Sequence, residues 1–413
     1  MKYCTKCVYP GASAVPLAFD KNGVCMGCRS EEQKKAINWE ERAQMLKNLV
    51  SKYKNKSNYD CIVPVSGGKD SYFQTHYITK VLGLKPLLVT YHGNNYLPEG
   101  EVNLERMRKV FDVDHIIFKP SKKLLIKMNR LCFKMMGDMN WHAHCGIYTY
   151  PVQVAVKFKV PLIVWGENAL IDLAGMYSMN DFVEMTAKNR LEYSQRGFDW
   201  FDMVNEEEGI TEQDLSWAKY PSDEELQENK IRGIYLGDYV NWDANKQTDM
   251  VKEIYGWKEA TKPFERTYRK MSNVDDMHEN GAHDYLKFIK FGYGRASDHS
   301  CKDIRRGYMT REQGVEMVRK HDYVKPSDLI RWYKYTGMSE EEFDAIADTF
   351  RDPRVWFKDQ EGNWIKVNIW DSQEENESKE KERIKYWEEN KNDLEERETK
   401  REQVWKSFKE RIK

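Results

Sequence analysis

Residues 61–71 have the sequence Cys61-Ile-Val-Pro-Val-Ser66-Gly67-Gly68-Lys69-Asp70-Ser71, in which a short apolar run meets a glycine turn and then a helical pattern. Two adjacent glycines let the backbone adopt positive φ and approach an anion closely. Successive N–H groups and the N-terminus of the following helix then converge on a bound phosphate. Ser66, Lys69 and Ser71 add side-chain donors. The stretch therefore predicts a strand, a phosphate-binding loop and a helix.

The loop differs from the phosphate loop of kinases and GTPases. It lacks their G-x-x-x-x-G-K-[ST] spacing, so transfer of a γ-phosphate is not indicated. Pro64 conflicts with the strand pattern, because proline removes a ladder donor and favours an edge position. We therefore expect the strand to be irregular where it enters the loop.

Strand and helix patterns alternate downstream of the loop. Strands are predicted at 86–91, 115–118 and 161–165, and helices at 72–82, 99–111, 121–136 and 148–158. This alternation predicts a doubly wound parallel sheet with right-handed crossovers. Ligands of such sheets bind beyond the carboxyl ends of the strands, so Tyr91 and Asn94 are expected to flank a nucleotide and Gly166 to close the site.

Two C-x-x-C pairs near the N-terminus, Cys4 with Cys7 and Cys25 with Cys28, have the pattern of a zinc ribbon. Four thiolates from two tight turns make a closed tetrahedral site, which suits structural Zn²⁺. An iron–sulfur cluster also takes four cysteines and is the alternative. We interpret the site as structural zinc.

His142, His144 and Cys145 lie between the predicted third and fourth strands. They could bind a metal, or Cys145 could be a nucleophile of the kind that thiolation enzymes use. The interpretation we favour is an ordinary loop cysteine before a helix.

The C-terminal half is polar and less regular. Residues 172–280 are expected to be an irregular helical insertion. A capping box of Thr310 and Gln313 predicts a helix from about residue 311, after a loop whose Arg295, Arg305 and Arg306 suit a carboxylate or phosphate unless they are simply solvated. A second capping box opens a helix at 339–342. A hairpin at 355–370 and an amphipathic helical tail follow.

Composition limits the class of protein. With 413 residues and a net charge of −1, the chain is long enough for two or three domains and has no global basic field, so nucleic acid is not an expected partner. The first residues lack the apolar core of a signal peptide and no apolar run is long enough to span a bilayer. We expect a cytoplasmic enzyme without membrane attachment.

Residues 66–71 resemble the pyrophosphate loop, S-G-G-x-D-S, of the N-type ATP pyrophosphatases, which split ATP between its α and β phosphates. The wider pattern resembles one branch of them, the N-acetyl sugar amidotransferases of bacterial surface-polysaccharide and flagellin-sugar biosynthesis. That likeness extends to about residue 350 and is carried by the four N-terminal cysteines, the loop, and residues 145–148, 161–168 and 291–311.

The resemblance implies conversion of a sugar acetamido group to an acetamidino group with ATP, Mg²⁺ and ammonia, beside structural Zn²⁺. It also implies an acidic N-acetylated sugar as substrate, nucleotide-linked or free, and a separate glutaminase with a barrel subunit that supplies ammonia. The expected domains are a zinc ribbon (1–36), a linker helix (37–58), the ATP pyrophosphatase domain (59–170), a substrate-binding and helical region (171–350), and a hairpin with a helical tail (351–413).

Site roles follow from the same likeness. The pyrophosphate is expected on the backbone of Gly67 and Gly68 with Ser66, Lys69 and Ser71, and Mg²⁺ on Asp70. Lys69, Asp70 and Glu167 are the expected catalytic residues, with Glu167 the candidate base. Arg295, Arg305 and Arg306 are expected to hold the carboxylate or diphosphate of the sugar.

Two other functions fit parts of the sequence. A tRNA-thiolating enzyme would share the loop but needs a sulfur-carrying cysteine or cluster and a basic RNA-binding face, and the overall charge counts against it. A non-catalytic zinc-ribbon module that binds nucleotide is the other alternative. The intact loop with Asp70 counts against that one.

Overall fold

The computed structural model describes residues 1–14, 17–93, 95–275 and 280–411, and a five-stranded parallel sheet forms its centre. The strands are β1 (Cys61–Pro64), β2 (Pro86–Tyr91), β3 (Asp114–Phe118), β4 (Leu162–Trp165) and β5 (Arg232–Tyr235). Their order across the sheet is β3-β2-β1-β4-β5, and every neighbouring pair is parallel. The chain is therefore an α/β protein, as predicted, and the strand order reverses between β1 and β4.

Helices follow the strands and cover both faces of the sheet. In chain order they are α1 (Met26–Lys34), α2 (Trp39–Val50), α3 (Lys69–His76), α4 (Pro98–Phe111), α5 (Lys122–Met136), α6 (Trp141–Phe158), α7 (Ala169–Asp172), α8 (Ala187–Asn189), α9 (Asp223–Glu228), α10 (Ala244–Tyr255), α11 (Asn280–Phe291), α12 (Arg295–Arg306), α13 (Arg311–His321), α14 (Asp328–Thr336), α15 (Glu340–Thr349), α16 (Gln373–Glu389) and α17 (Lys391–Arg411). Short π or 3₁₀ turns lie at Tyr77–Val81, Arg190–Ser194, Trp200–Met203, Gln213–Ala218 and Leu236–Asp238.

The two faces of the sheet belong to different parts of the core. Cys61 and Val63 face α2, α3, α4 and α10, whereas Ile62 faces α6. Side chains of a strand alternate between faces, so a strand that is apolar throughout must be covered on both sides. The predicted doubly wound arrangement is confirmed.

Pro64 does not mark an edge strand, although proline favours that position. β1 is the central strand. Val65 N donates to Val89 O of β2 at 3.0 Å, so the neighbouring Pro64 nitrogen faces β4. The Val164 carbonyl on that side accepts from Gln74 Nε2 at 2.5 Å instead. A side chain from α3 thus replaces the donor that proline lacks.

The fifth strand was missed. β5 lies within the segment predicted to be an irregular helical insertion, and it pairs with β4 along its whole length. Four residues, Arg-Gly-Ile-Tyr, are too few to show an alternating pattern, and the glycine lowers strand propensity.

The region before α13 was predicted to be a shaped loop and is instead mostly helix α12. Gly294 is the N-cap of this helix, and Gly307, at φ 79°, ends it in the left-handed conformation. The Thr310–Gln313 capping box of α13 is confirmed, as is the N-cap at Ser339 of α15. The predicted hairpin is present as β6 (Trp356–Lys358) and β7 (Trp364–Lys366).

The charged tail forms two helices rather than one. Trp387 of α16 donates to Trp356 O at 2.8 Å, and Phe408 of α17 is buried next to Gly197. The tail therefore packs on its own chain. In the part of the chain that the structure describes, every helix is either too short or too polar to cross a bilayer.

We predict that Gln74→Leu destabilises the sheet. Gln74 is buried, and leucine would leave the Val164 carbonyl without a donor at a cost of about 1–3 kcal/mol. Urea unfolding should show a lower midpoint with an unchanged slope. Gln153→Leu is the control, because Gln153 donates to Ser216 O and Lys219 O where solvent can replace it. Equal losses in the two variants would contradict the special role of Gln74.

Candidate functional site

The glycine loop leaves the carboxyl end of β1 and runs directly into α3, as predicted. Gly67 has φ 89°, and a Cβ built on it would lie 2.8 Å from the backbone of Leu104 on α4. A Cβ on Gly68 would lie 2.6 Å from Asp275 Oδ2. Gly67 therefore leaves no room for a side chain, and the space over Gly68 is occupied by the Asp275 carboxylate. The first N–H groups of α3 have no acceptor within the helix and face the same way.

Side chains of the loop are held by one another and by residues 257–275. Ser66 N donates to Ser71 Oγ at 2.9 Å, and Ser66 Oγ donates to Asp275 Oδ2 at 2.5 Å. Trp257 Nε1 donates to Gly67 O at 3.0 Å. The conformation of the loop is therefore fixed from outside as well as by its glycines.

Lys69 and Asp70 form an ion pair at the start of α3. Lys69 Nζ lies 2.6 Å from Asp70 Oδ2, and Lys69 is 8% exposed. Asp70 Oδ1 has no hydrogen-bond partner among the described residues. An unpartnered carboxylate oxygen beside a glycine loop is a suitable ligand for a hard divalent cation.

Of the three residues predicted near the nucleotide, Tyr91, Asn94 and Gly166, the structure describes Tyr91 and Gly166. Tyr91 ends β2, but its ring is buried against Trp217 and Gly146, and its hydroxyl lies 3.3 Å from His142 Nδ1. Gly166 follows β4 beside the loop, with Trp242 and the Gln74 side chain over it. Asn94 lies outside the described residues.

Glu167 follows Gly166 and forms an ion pair that the sequence did not indicate. Lys302 Nζ donates to both oxygens of Glu167, at 2.6 and 2.8 Å. Burial by itself would raise the pKa of Glu167, but the Lys302 ammonium holds it below the usual value. A carboxylate with a lowered pKa is a weak base. Glu167 is better suited to position Lys302 or a ligand than to abstract a proton.

A small charged cleft opens at this end of β4. Its walls come from α1, from the turn after β4, from the start of α10 and from α12, and the lining residues are Glu31, Lys34, Glu167, Asp172, Trp242, Asp243, Ala244, Asn245, Arg269, Lys302, Asp303, Arg305 and Arg306. Four of its cations are paired with carboxylates: Lys34 with Asp172, Arg269 with Asp303, Lys302 with Glu167 and Arg306 with Glu31. The cleft is thus rich in fixed donors and acceptors.

The three predicted arginines do not converge. Arg305 and Arg306 line the cleft. Arg295, at the start of α12, pairs with Asp284 of α11 at 2.7 Å and is not in the cleft. One helix carries all three, but its opposite ends and faces serve different neighbours.

Cys145 is not a loop residue. It lies inside α6, which begins at Trp141, and is fully buried. Gln195 Nε2 donates to its sulfur at 2.9 Å, and burial raises the pKa of the thiol to about 12. Burial also lowers the pKa of His142 and His144 to about 3. The described residues form no metal-binding group at this point, and the cysteine has the setting of a core residue.

The four N-terminal cysteines converge as predicted. Their sulfurs all lie within 4.8 Å of one another and are buried. Cys4 Sγ accepts from the backbone N–H groups of Lys6, Cys7 and Cys25 at 3.3–3.4 Å. Backbone donors aimed at one sulfur favour its thiolate, so the set fits a metal ion.

Comparison with known proteins supports part of this interpretation. Residues 265–370 match the family model described as "LPS biosynthesis protein WbpG-like, C-terminal domain". This segment contains α11–α15 and the β6–β7 hairpin, and it supplies the wall of the cleft formed by Arg269 and α12. No curated protein matches the chain.

Two solved structures are similar at low identity. The U34-tRNA thiolase NcsA from Methanococcus maripaludis, with its [4Fe-4S] cluster, is 16% identical over 75% of this chain and 87% of its own, with a TM-score of 0.30. The NMN synthetase from Francisella tularensis is 13% identical over 55% of this chain and 99% of its own, with a TM-score of 0.24. Scores this low do not establish a common fold, so the α/β assignment rests on the sheet itself.

We predict that Cys145 is unreactive in the folded protein. Its buried, hydrogen-bonded thiol with a pKa of about 12 should resist iodoacetamide at pH 8, while the urea-unfolded chain is labelled. Peptide mass spectrometry measures the labelled fraction. Cys132 of α5, also fully buried, is the internal control. Rapid labelling of Cys145 alone in the native state would restore the nucleophile hypothesis.

Proposed function

We propose that this chain is an ATP-dependent enzyme of bacterial surface-sugar biosynthesis that converts a sugar acetamido group to an acetamidino group. The observation that carries the proposal is the glycine loop at the carboxyl end of the central strand, next to the point where strand order reverses. The match of residues 265–370 to a lipopolysaccharide-biosynthesis family supports a sugar as the second substrate.

The reaction follows from the poor leaving ability of an amide oxygen. That oxygen attacks the α-phosphorus of ATP and pyrophosphate leaves, which makes the oxygen part of an adenylate. Ammonia then adds to the activated carbon, and AMP departs with the oxygen. The product is the amidine, and the expected coproducts are AMP and pyrophosphate.

Residues of the loop would stabilise the leaving pyrophosphate. The N–H groups of the first turn of α3 have no acceptor within the helix, the Gly68 N–H makes only a long bond of 3.5 Å to Ser66 Oγ that pyrophosphate would replace, and Lys69 and Ser71 add a cation and a hydroxyl. Asp70, with its unpartnered oxygen, would hold Mg²⁺. When bound, that ion neutralises charge that grows on the leaving group.

The charged cleft would hold the sugar. It adjoins the loop, because Trp242 on its wall packs against Phe73 of α3 at 5.3 Å between ring centroids. Lys302, Glu167 and Arg306 offer fixed hydrogen-bonding groups suited to hydroxyl, amide or carboxylate groups of the sugar. Arg295 has no part in this proposal, since it lies with Asp284 outside the cleft.

The four cysteines would hold a structural Zn²⁺. Two of their Sγ–Sγ separations are 3.9 and 3.7 Å, close to the ~3.8 Å that follows from tetrahedral Zn–S bonds of about 2.3 Å. A cluster of four irons would stand between the sulfurs and hold them farther apart. The geometry therefore favours a single ion.

We predict that incubation with ATP, ammonium and an N-acetylated substrate yields AMP and pyrophosphate. Suitable substrates are a nucleotide-linked diacetamido uronic acid and a free nine-carbon diacetamido acid. Asp70→Asn should lower kcat by roughly 100-fold or more, the scale of losing one preorganised charge-stabilising group, with little change in sugar KM. Asp249→Asn, at an exposed position on α10, is the matched control. Release of ADP and phosphate would overturn the reaction assigned.

The ammonia source is a second expectation. Cys145 is a buried core residue, and Cys301 is buried on α12, so neither has the setting of a glutaminase nucleophile. We propose that a separate glutaminase and a barrel subunit deliver ammonia to this chain. The isolated protein should therefore use ammonium, and glutamine should replace it only after such a partner is added. Equal rates with glutamine and ammonium in the purified chain would exclude this proposal.

A tRNA-thiolating activity is less well supported. It requires a reactive cysteine or a cluster near the loop, and Cys145 has a raised pKa and no access to solvent. The product assay separates the two functions, because a thiolase would leave the N-acetylated sugar unchanged.

A further inference from the structure

Arg305 is a buried cation without an acidic partner. It is 6% exposed, and no carboxylate of the described residues lies within ion-pair distance of it, although Arg306, the next residue, pairs with Glu31. A buried guanidinium is costly unless a negative charge compensates it. The compensating charge must therefore come from another kind of group.

The cysteine centre is the group that Arg305 contacts. Arg305 Nη2 donates to Cys25 Sγ at 3.5 Å, while Nη1 donates to the carbonyls of Asp172 and Leu173, both at 2.9 Å. Four thiolates around a divalent ion carry a net charge of about −2, which is the counter-charge that the guanidinium lacks. One side chain thus connects the metal ligands to α7 and the residue that follows it.

The cysteine turn packs tightly against Arg305 and residues 173–175, as two glycines show. A Cβ on Gly27, between Cys25 and Cys28, would lie 2.4 Å from Arg305 Nη2 and 2.5 Å from Leu173 O. A Cβ on Gly175 would lie 2.3 Å from Met26 O. The cysteine turn, α12 and residues 173–175 are therefore in direct contact.

We propose that Arg305 couples metal binding at the four cysteines to the wall of the charged cleft. With thiolates and metal in place, the guanidinium is compensated and holds the Asp172 and Leu173 carbonyls. Without them, it is a buried unpaired charge, and this wall loosens. Asp172 itself lines the cleft and pairs with Lys34 of α1, so the effect reaches the cleft directly. Because coupling is reciprocal, a looser wall must also weaken metal binding.

The first test measures zinc affinity by competition with a chromogenic chelator. Arg305→Met should bind zinc on the order of 10–100-fold more weakly than the parent, the usual effect of removing a group that hydrogen-bonds a metal ligand. Arg305→Lys keeps the positive charge but loses the planar guanidinium, so its zinc affinity should lie between those of the parent and of Arg305→Met. Arg311→Met is the matched control, because Arg311 donates to the Cys4 carbonyl rather than to a sulfur. Its zinc affinity should stay near that of the parent.

The second test measures hydrogen exchange of residues 169–176, with the peptide of β2 as reference. In the parent, zinc removal should raise exchange in 169–176 and leave β2 protected. In Arg305→Met, exchange there should already be high with zinc bound, and zinc removal should add little. The proposal would be overturned if zinc removal and Arg305→Met raised hydrogen exchange in 169–176 additively. It would also be overturned if Arg305→Met bound zinc as tightly as the parent. If that variant does not fold, parental zinc affinity in Arg305→Lys overturns it equally. Neither readout depends on the catalytic reaction.

Discussion

Two consecutive positions without side chains determine the geometry of the loop. Gly67 approaches the backbone of Leu104 on α4, and Gly68 lies under the carboxylate of Asp275. The first contact cannot relax easily, because its partner is helix backbone, whereas Asp275 is held by a hydrogen bond from Ser66. The loop therefore packs directly against α4 and against Asp275.

Most charged side chains in the rest of the site form ion pairs with one another. Lys34, Arg269, Lys302 and Arg306 of the cleft are each paired with a carboxylate and already make the bonds that a ligand would use. A ligand must exchange these bonds rather than satisfy empty ones. Such an exchange contributes little net affinity but strongly penalises a ligand of the wrong shape or charge. The cleft is therefore better suited to selecting a polar ligand than to binding any anion tightly.

Local patterns in the sequence predicted most of the sheet and the loop, because strands β1–β4 and the helices between them are periodic and well separated. The errors have physical causes. Glycines around α12 were interpreted as a loop, whereas Gly294 and Gly307 cap a helix. The buried face of α12 contains Asp, Ser and His as well as apolar residues, so the sequence shows no apolar stripe that would predict a helix.

The partners within the site were beyond sequence reasoning. Glu167 was a candidate, but Lys302 is 135 residues away in the chain, and Asp275 is 209 residues from Ser66. Neither lies in a recognisable motif, and neither follows a strand. Only the packing of α12 and of residues 257–275 against the carboxyl edge of the sheet brings them to the loop. Residue types can indicate a phosphate site, but the charges that balance it come from tertiary structure.

The charges around the loop affect how it can bind pyrophosphate. Lys69 is the one cation in the sequence of the loop, and it already faces Asp70. Asp275 adds a second carboxylate against Gly68. A pyrophosphate group placed on the loop would meet two carboxylates and one ammonium, and like charges at such short range disfavour binding in a poorly solvated site. Either Asp275 withdraws or a divalent cation offsets the repulsion. The unpartnered oxygen of Asp70 is already in place for such a cation, so the acidic residues that oppose a bare polyphosphate are the ones that favour its metal complex.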